Sequence, residues 1–438
     1  MFLFLNILQG WLMGETIFLF IILAVLIPAK GGFYRDGEKI IISKLVFGFV
    51  ILFVATSIYF VLYGFFITPE EISVFDIISS LFYSLDKCFF YFIALLLGTL
   101  LLNLVSPRRL QFIPPTEQEL TKVQDFLTRY QGNSMSHLIF LKDKALFFTQ
   151  DERVLIAYKP YKDKLMVLGD PIGDENYFKD AINDFRIFAD RTDMAPIFYE
   201  VNEKYLPIYH ENGFNFLKFG EEAFFKLEDF TLEGKKWAPI RTIKNKMLRH
   251  EFDFEIITPP FTTDIFAELQ QLSDKWLDGR NEKGFSLGFF DEDYISLAPV
   301  ALLRKEGELI AFATLMPTYQ DGVCTVDLMR LIPQPPNGTM DALFIGIIEW
   351  AREQGHHTFI LGKAPLSNVG QAHFSTRREK LVKHFYHYGN KFYSFKGLRF
   401  FKEKFHPSWE SVYLAYPKSA NLPFTIIQLA RLISGNDN

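Results

Sequence analysis

Residues 45–67 form an unbroken run of 23 residues without a charge. At about 1.5 Å of rise per residue, one helix of that length crosses the roughly 30 Å hydrocarbon core of a bilayer. Residues 88–105 repeat the pattern over 18 residues, and residues 2–29 are apolar except at Asn6, Gln9, Glu15 and Thr16. Residues 1–105 hold 5 Lys/Arg and 7 Asp/Glu, whereas the rest of the chain is richly charged. This predicts a membrane segment of about three transmembrane helices over 1–109, followed by a polar part. The composition excludes a purely soluble enzyme, a wholly embedded protein and a disordered chain, since Phe alone numbers 49. A cleaved leader is disfavoured: no positive charge precedes the first apolar run and no small-residue cleavage site follows it.

Charge bias orients the segment. The first loop carries Lys30, Arg35, Lys39 and Lys44. The second carries Glu70, Glu71 and Asp76 without a base, and Arg108 and Arg109 follow the third run. The N-terminus is expected outside and everything after residue 105 in the cytoplasm. Two cysteines, Cys88 in an apolar run and Cys324 in the polar part, argue against a disulfide framework and suit a reducing compartment.

The polar part reads as two similar halves of an α+β fold. Thr116 and Glu119 have capping-box spacing ahead of a helix. Short β-like runs follow at 137–141, 145–148, 154–157 and 165–168, separated by turn residues. Gly169-Asp170-Pro171-Ile172-Gly173 ends this meander, and helix (174–190), strand (196–200), helix (203–212) and strand (223–227) come after it. The second half repeats the order. A helix at 263–277 precedes strands at 299–304, 309–317 and 323–331. Then come a helix at 340–353, a strand at 358–361, a helix at 368–385 and a last β-like run at 412–415. Meander, helix, strand, helix, strand is the order of acetyltransferase-type folds. The expected domains are 110–235, a connecting helix over 236–252, a second domain over 253–418 and a tail over 419–438.

Two basic stretches stand out. Residues 235–250 hold six Lys/Arg and no acid, with Arg241, Lys244 and Lys246 close together on a helical wheel. Residues 376–404 hold nine Lys/Arg against Glu379 and Glu403, interleaved with eight aromatics. These stretches carry +6 and +7 on a chain of net charge −5, a focused field that suits nucleic acid or lipid phosphates. A solvated helix face is the plainer reading of the first stretch. Asp327 and Arg330 sit in an otherwise apolar strand, where charges are costly unless paired or functional. A regular strand sends positions three apart to opposite faces, so both serve one site only if a bulge intervenes. The following loop, Pro335-Pro336-Asn337-Gly338-Thr339-Met340, has one glycine, which argues against a coenzyme A pyrophosphate site.

These residues resemble a known family. Lys275-Trp276-Leu277, Lys283-Gly284-Phe285-Ser286-Leu287-Gly288, Met316-Pro317-Thr318-Tyr319, the 326–330 run, and Asn337-Gly338-Thr339-Met340-Asp341 are similar to the phosphatidylglycerol lysyltransferases. So are Ala364-Pro365-Leu366-Ser367-Asn368-Val369-Gly370, Phe395-Lys396-Gly397-Leu398-Arg399, Lys402-Glu403-Lys404-Phe405, Pro407, Trp409 and Tyr413-Leu414-Ala415-Tyr416-Pro417. The resemblance covers roughly residues 110–418. It implies tandem acetyltransferase-like domains joined by a basic helix, and transfer of an amino acid, lysine first among the candidates, from aminoacyl-tRNA to phosphatidylglycerol at the cytoplasmic face of the cell membrane. Such a product changes membrane surface charge and contributes to resistance to cationic antimicrobial peptides. Family members usually carry a longer multi-helix module ahead of this part. The residue before Ala364 is usually apolar, and here it is Lys363.

An aminoacyl ester is already activated, so the enzyme mainly brings a lipid hydroxyl to the ester carbonyl. On this reading Arg330 stabilises developing negative charge and Asp327 orients it or accepts the hydroxyl proton. Arg399, Lys402 and Lys404 bind phosphate, Glu379 holds the cationic amino acid, and Arg241, Lys244, Lys246 and Arg249 meet tRNA. No cofactor and no metal is needed. Other readings are an aminoacyltransferase acting on a cell-wall precursor, and a non-enzymatic membrane tether for tRNA or anionic lipid, which would not need Asp327.

Overall fold

A computed structural model describes residues 110–370 and 395–435. The three apolar runs of 1–109, Glu379 and the 371–385 part of the helix expected over 368–385 lie outside the described residues. Among the described residues no helix is long and apolar enough to cross a membrane.

The first half starts with helix α1 (Glu117–Tyr130), closed at its N-terminus by the capping box expected of Thr116 and Glu119. Strands β1 (Ala145–Phe148), β2 (Val154–Tyr161) and β3 (Lys164–Leu168) form the antiparallel meander, and β4 (Ile172–Gly173) pairs with β2. Helix α2 (Phe178–Arg191) crosses over to β5 (Ala195–Asn202), which runs parallel to β3; α3 (Leu206–Glu211) and β6 (Phe214–Lys226) complete the half. The run at 137–141, expected as a strand, is a 3-10 turn over Ser136–Leu141. All five of its residues are buried, and a short run apolar on every side has no two-residue alternation to commit it to a sheet.

A short 3-10 turn at Lys235–Trp237, helix α4 (Ala238–Lys246) and a π-helical turn over Met247–Glu251 then bridge to the second half. There β7 (Asp253–Ile257), α5 (Thr263–Leu277) and α6 (Glu292–Ile295) precede the meander β8 (Val300–Lys305), β9 (Glu308–Pro317) and β10 (Val323–Leu331). Helix α7 (Thr339–Glu353) crosses over to β11 (Thr358–Pro365), parallel to β10. Helix α8 (Phe395–Glu403), β12 (Ser408–Pro417) and α9 (Leu422–Ile433) close the described chain. Strand β7, absent from the expected order, pairs with β8 and has no counterpart in the first half, but from the meander through the crossover helix to the following strand the two halves repeat one another in element order.

They are not separate sheets, however. The strands join in the order β1-β2-β3-β5-β12-β6-β11-β10-β9-β8-β7. The last strand of each half has crossed to the other: β12 pairs with β5, and β6 pairs with β11. The two exchanged strands also pair with each other from Ser408↔Phe224 to Pro417↔Phe214. Burial on both faces follows. Val300 and Leu302 join the core against Leu269 and Leu272 of α5, while Ala301 and Leu303 join the core formed by α7. The first of these cores runs on through α1, β3, β5, β12 and α9, so it belongs to both halves. The tail expected over 419–438 includes helix α9, whose Leu422, Leu429 and Leu432 are buried in that core.

Candidate functional site

Each parallel strand pair opens a gap. Strands β10 and β11 pair only over Val323–Thr325 and Thr358–Ile360; beyond that β10 follows β9 and β11 follows β6. The residues past the split, Thr325, Val326, Asp327 and Met329 on one side and Leu361, Gly362, Lys363 and Pro365 on the other, line a cavity of about 530 Å³. Its remaining wall is mostly apolar and comes from α7, α8 and α9 together with the 134–138 turn, β5, β6, β9 and the 283–287 stretch, with Glu200, Glu222, Lys283 and Lys402 as its other charged members. A second cavity of about 340 Å³ lies where the first half's parallel pair ends, beside Gly169–Gly173 and Asn202. It is polar, with Asp170, Glu175, Glu200, Glu222 and Glu410 against Lys204 and Lys363. Ser134, Met135, Glu200, Glu222 and Lys363 belong to both cavities and so form a shared wall.

Asp327 fronts the larger cavity. The pairing of β10 with β9 slips by one residue between Val326 and Met329, and the Leu328 amide is diverted to Thr314 Oγ1 at 3.0 Å. This bulge turns Asp327 to the same face as Leu328 and Arg330, the condition the sequence reading set for a shared site. Asp327 Oδ2 accepts a 2.7 Å hydrogen bond from the Tyr294 hydroxyl, and Oδ1 accepts one of 3.0 Å from the Gly288 amide. Burial raises its pKa above the ordinary carboxylate range, against the opposing effect of those donors and of Lys144 and Arg330. Lys144 is itself fully buried and pairs with Asp143.

Arg330 is close enough to Asp327 for their charges to interact, yet its guanidinium is not among the cavity-lining groups. It holds Glu282 at 2.6 and 2.9 Å, donates to Ser273 Oγ at 3.1 Å and lies 4.1 Å from the Trp276 ring centre. What it organises is the 282–288 loop. That loop is pinned through Glu282 by Arg330, through the Phe285 amide by Asp143 at 2.8 Å, and through the Gly288 amide by Asp327. Its Lys283, Ser286 and Leu287 line the cavity. Gly288 has no alternative there, since a Cβ would sit 1.8 Å from Asp327 Oδ2.

The remaining cations are placed unevenly. Lys402 lines the larger cavity with its Nζ donating to the Lys363 carbonyl at 2.7 Å. Arg399 points elsewhere, bonded to Glu221 and Ser367, 3.1 Å from Glu403 and 4.2 Å from the Trp409 ring centre. Ser367 and Asn368 also bond Glu221, so the 364–370 motif is the clamp that fixes this arginine. Lys404 pairs with Asp341 at 2.9 and 3.0 Å and ties the end of α8 to α7. In the connecting helix Lys244 pairs with Glu349, and Arg241 caps the Leu232 and Gly234 carbonyls at 2.7 and 3.1 Å. Arg249 is exposed and Lys246 half-exposed, and among the described residues neither has an ion-pair partner. Gly338 of the single-glycine loop is where Ile243 of α4 packs, 2.6 Å from a would-be Cβ.

The sequence reading missed the Glu200–Lys363–Glu222 group. Lys363 Nζ lies 2.8 Å from Glu200 and 3.9 Å from Glu222, all three largely buried in the shared wall. The signal was present in Glu221-Glu222 inside an apolar strand, the same cue that singled out Asp327. It also missed Tyr294 and Lys144, which show no pattern along the chain.

Burial lowers the Lys402 pKa to about 7, against the raising influence of Glu222 and Glu200 and with the charge of Lys363 adding to the depression. The ammonium is therefore present below about pH 7 and lost above it. If Lys402 holds a phosphate, affinity for the phosphate-bearing substrate falls as pH rises through about 7. The fall should be measurable as a rise in KM, and Lys402→Arg, which stays charged, should flatten it. A rate that instead climbs through that pH would give Lys402 the role of a base.

Comparisons with known proteins identify the family. Residues 124–416 fit the family model described as phosphatidylglycerol lysyltransferase, C-terminal. The chain is 44% identical over 309 residues to the phosphatidylglycerol lysyltransferase of Bacillus subtilis, a match over 70% of this chain and 36% of that one. It is 41% identical over 315 residues to the Staphylococcus aureus protein of the same name, covering 72% and 38%. The chain thus spans little more than a third of the length of these relatives. A solved structure of L-PGS from Bacillus licheniformis shares 43% identity at a TM-score of 0.65, covering 73% of this chain and 98% of that one. By the matched model and these relatives, the chain belongs to the phosphatidylglycerol lysyltransferase C-terminal family.

Proposed function

We propose that this chain transfers an amino acid, lysine first among the candidates, from aminoacyl-tRNA to a glycerol hydroxyl of phosphatidylglycerol. The observation that carries the reading is the pair of cavities with one charged wall in common. The larger, mostly apolar one suits a lipid, with Lys402 near the phosphate and Asp327 near the hydroxyl. The smaller, acidic one suits a cationic amino acid, with Glu222 and Glu410 as acceptors for its ammonium groups. The lipid hydroxyl attacks the ester carbonyl and passes its proton to Asp327. A new ester forms on the lipid as the ester bond to the tRNA breaks, and the proton returns to the departing ribose oxygen. Arg330 acts as a positioning residue through Glu282 and through its charge on Asp327. Arg399 and Lys404 support the site indirectly, by fixing α8, which carries Lys402.

In this reading the halves are tandem acetyltransferase-like modules, supported by the parallel strand pair and crossover helix in each. The apolar runs of 1–109 anchor them to the cell membrane, with the catalytic part in the cytoplasm where tRNA is available. Mass spectrometry of lipids from a host expressing the chain is the direct test. New lysyl-phosphatidylglycerol, absent with Asp327→Ala, is expected. A modified cell-wall precursor with unchanged lipids would overturn the acceptor assignment.

The connecting helix should add electrostatic affinity for tRNA. Lys246→Gln with Arg249→Gln is expected to reduce the salt dependence of tRNA binding by about one unit of slope for each phosphate no longer neutralised. Lys244→Gln should change it less, because Glu349 already neutralises that lysine. Equal slopes in all three proteins would mean that tRNA approaches elsewhere.

A further inference from the structure

Among the described residues, seven large apolar side chains are exposed, and three of them fall on two helices: Phe400 of α8 at 73% exposure, with Phe424 and Ile427 of α9 at 62% and 38%. The inner faces of the same helices supply Leu398, Phe401, Ile426, Leu429 and Ile433 to the wall of the larger cavity. Helix α9 is therefore apolar on two sides, one facing the cavity and one facing out, and α8 adds the exposed Phe400 beside its cavity-lining residues. An exposed apolar face on a helix is a liability in water and is stable against an apolar medium. Helix α9 is flanked by the exposed cations Lys418 and Arg431, with no carboxylate from Ser411 to Gly435; the exposed Glu403 of α8 is paired with Arg399, and Asp163, which bonds Gln428 of α9, is paired with Lys164.

We propose that α8 and α9 dock on the anionic leaflet of the membrane, with Phe400, Phe424 and Ile427 inserted among the acyl chains. The lipid cavity would then load directly from the bilayer. This deepens the proposed function and rests on the larger cavity being the lipid site. Transfer of a two-chain lipid through water would expose its full apolar surface; a wall apolar on both sides removes that exposure along the route. Lys418 and Arg431 would sit at the headgroup level, where cations gain from the surface potential. Helix α9 has a further link to the chemistry, since the Ile433 carbonyl accepts from the Gly284 amide at 3.0 Å, at the base of the 282–288 loop.

The test uses the full chain reconstituted into vesicles of phosphatidylglycerol and phosphatidylethanolamine. A photo-crosslinking phenylalanine analogue replaces Phe424 in one protein and Phe400 in another, and the phosphatidylglycerol carries a radiolabel. Labelled lipid on the protein is the expected result at both positions. Cross-links only to a second copy, or only to residues of the same chain, would overturn the proposal. A second measurement keeps the function separate: Phe424→Glu with Ile427→Glu should raise the KM for bilayer lipid roughly tenfold or more, leaving turnover of a short-chain, monomeric phosphatidylglycerol unchanged. An unchanged bilayer KM would count against docking. Lipid cross-linking without any aminoacylation would leave docking standing and refute the transferase reading instead.

Discussion

Asp327→Asn is expected to leave the protein folded and unable to aminoacylate lipid. The amide still offers an oxygen to the Gly288 amide and can still pair with the Tyr294 hydroxyl, so both hydrogen bonds survive in some form. What disappears is the ability to take a proton. Loss of a group that acts in the transition state costs on the order of 3 kcal/mol, a hundredfold or more in rate. Asp327→Ala should be inactive and also less stable, because two buried donors lose their acceptor at roughly 1–3 kcal/mol each. Gly288→Ala provides an independent route to the same site: its Cβ would overlap Asp327 Oδ2, forcing the carboxylate out of place. Single-turnover rates and thermal melts on the three variants separate these effects. Near-normal turnover by a well-folded Asp327→Asn would remove Asp327 from the chemistry.

Arg330→Ala is expected to act first on stability. It strips the partly buried carboxylate of Glu282 of its cation and uncovers the face of Trp276. Breaking one side of a buried pair costs about 3–5 kcal/mol, whereas replacing both partners by apolar residues of similar size is often neutral or favourable. Arg330→Met combined with Glu282→Met should therefore recover much of the melting temperature lost by Arg330→Ala. Activity should not return with it, because the 282–288 loop would keep two of its three pins and Asp327 would lose a neighbouring positive charge. Recovery of both would reduce the pair to scaffolding. An unchanged melting temperature in Arg330→Ala would contradict the packing seen around it.

Much of this fold follows from local chemistry. The capping box at Thr116, the two meanders and the crossover helices α2 and α7 are stated by period, turn residues and caps, which act between residues near in sequence. Asp327 and Arg330 were conspicuous for the same reason, as charges where a strand is otherwise apolar. The sequence could also require that a bulge join them, since strand geometry demands it. Whether the bulge formed depended on Thr314, a residue of the neighbouring strand.

The tertiary structure alone decided what each charge meets. The exchange of β6 and β12 between halves leaves local pattern untouched, because either strand satisfies the same alternation in either place; only cross-strand pairing distinguishes them. That exchange brings Glu222 of the first half against Lys363 of the second and so makes the shared wall. Of the cations read from sequence as site candidates, Lys402 alone lines a cavity, while Arg330, Arg399, Lys404 and Lys244 are held by carboxylates. A cationic stretch records net charge, but a carboxylate remote in sequence cancels it locally, and Coulomb attraction between buried groups acts through space without regard to chain order.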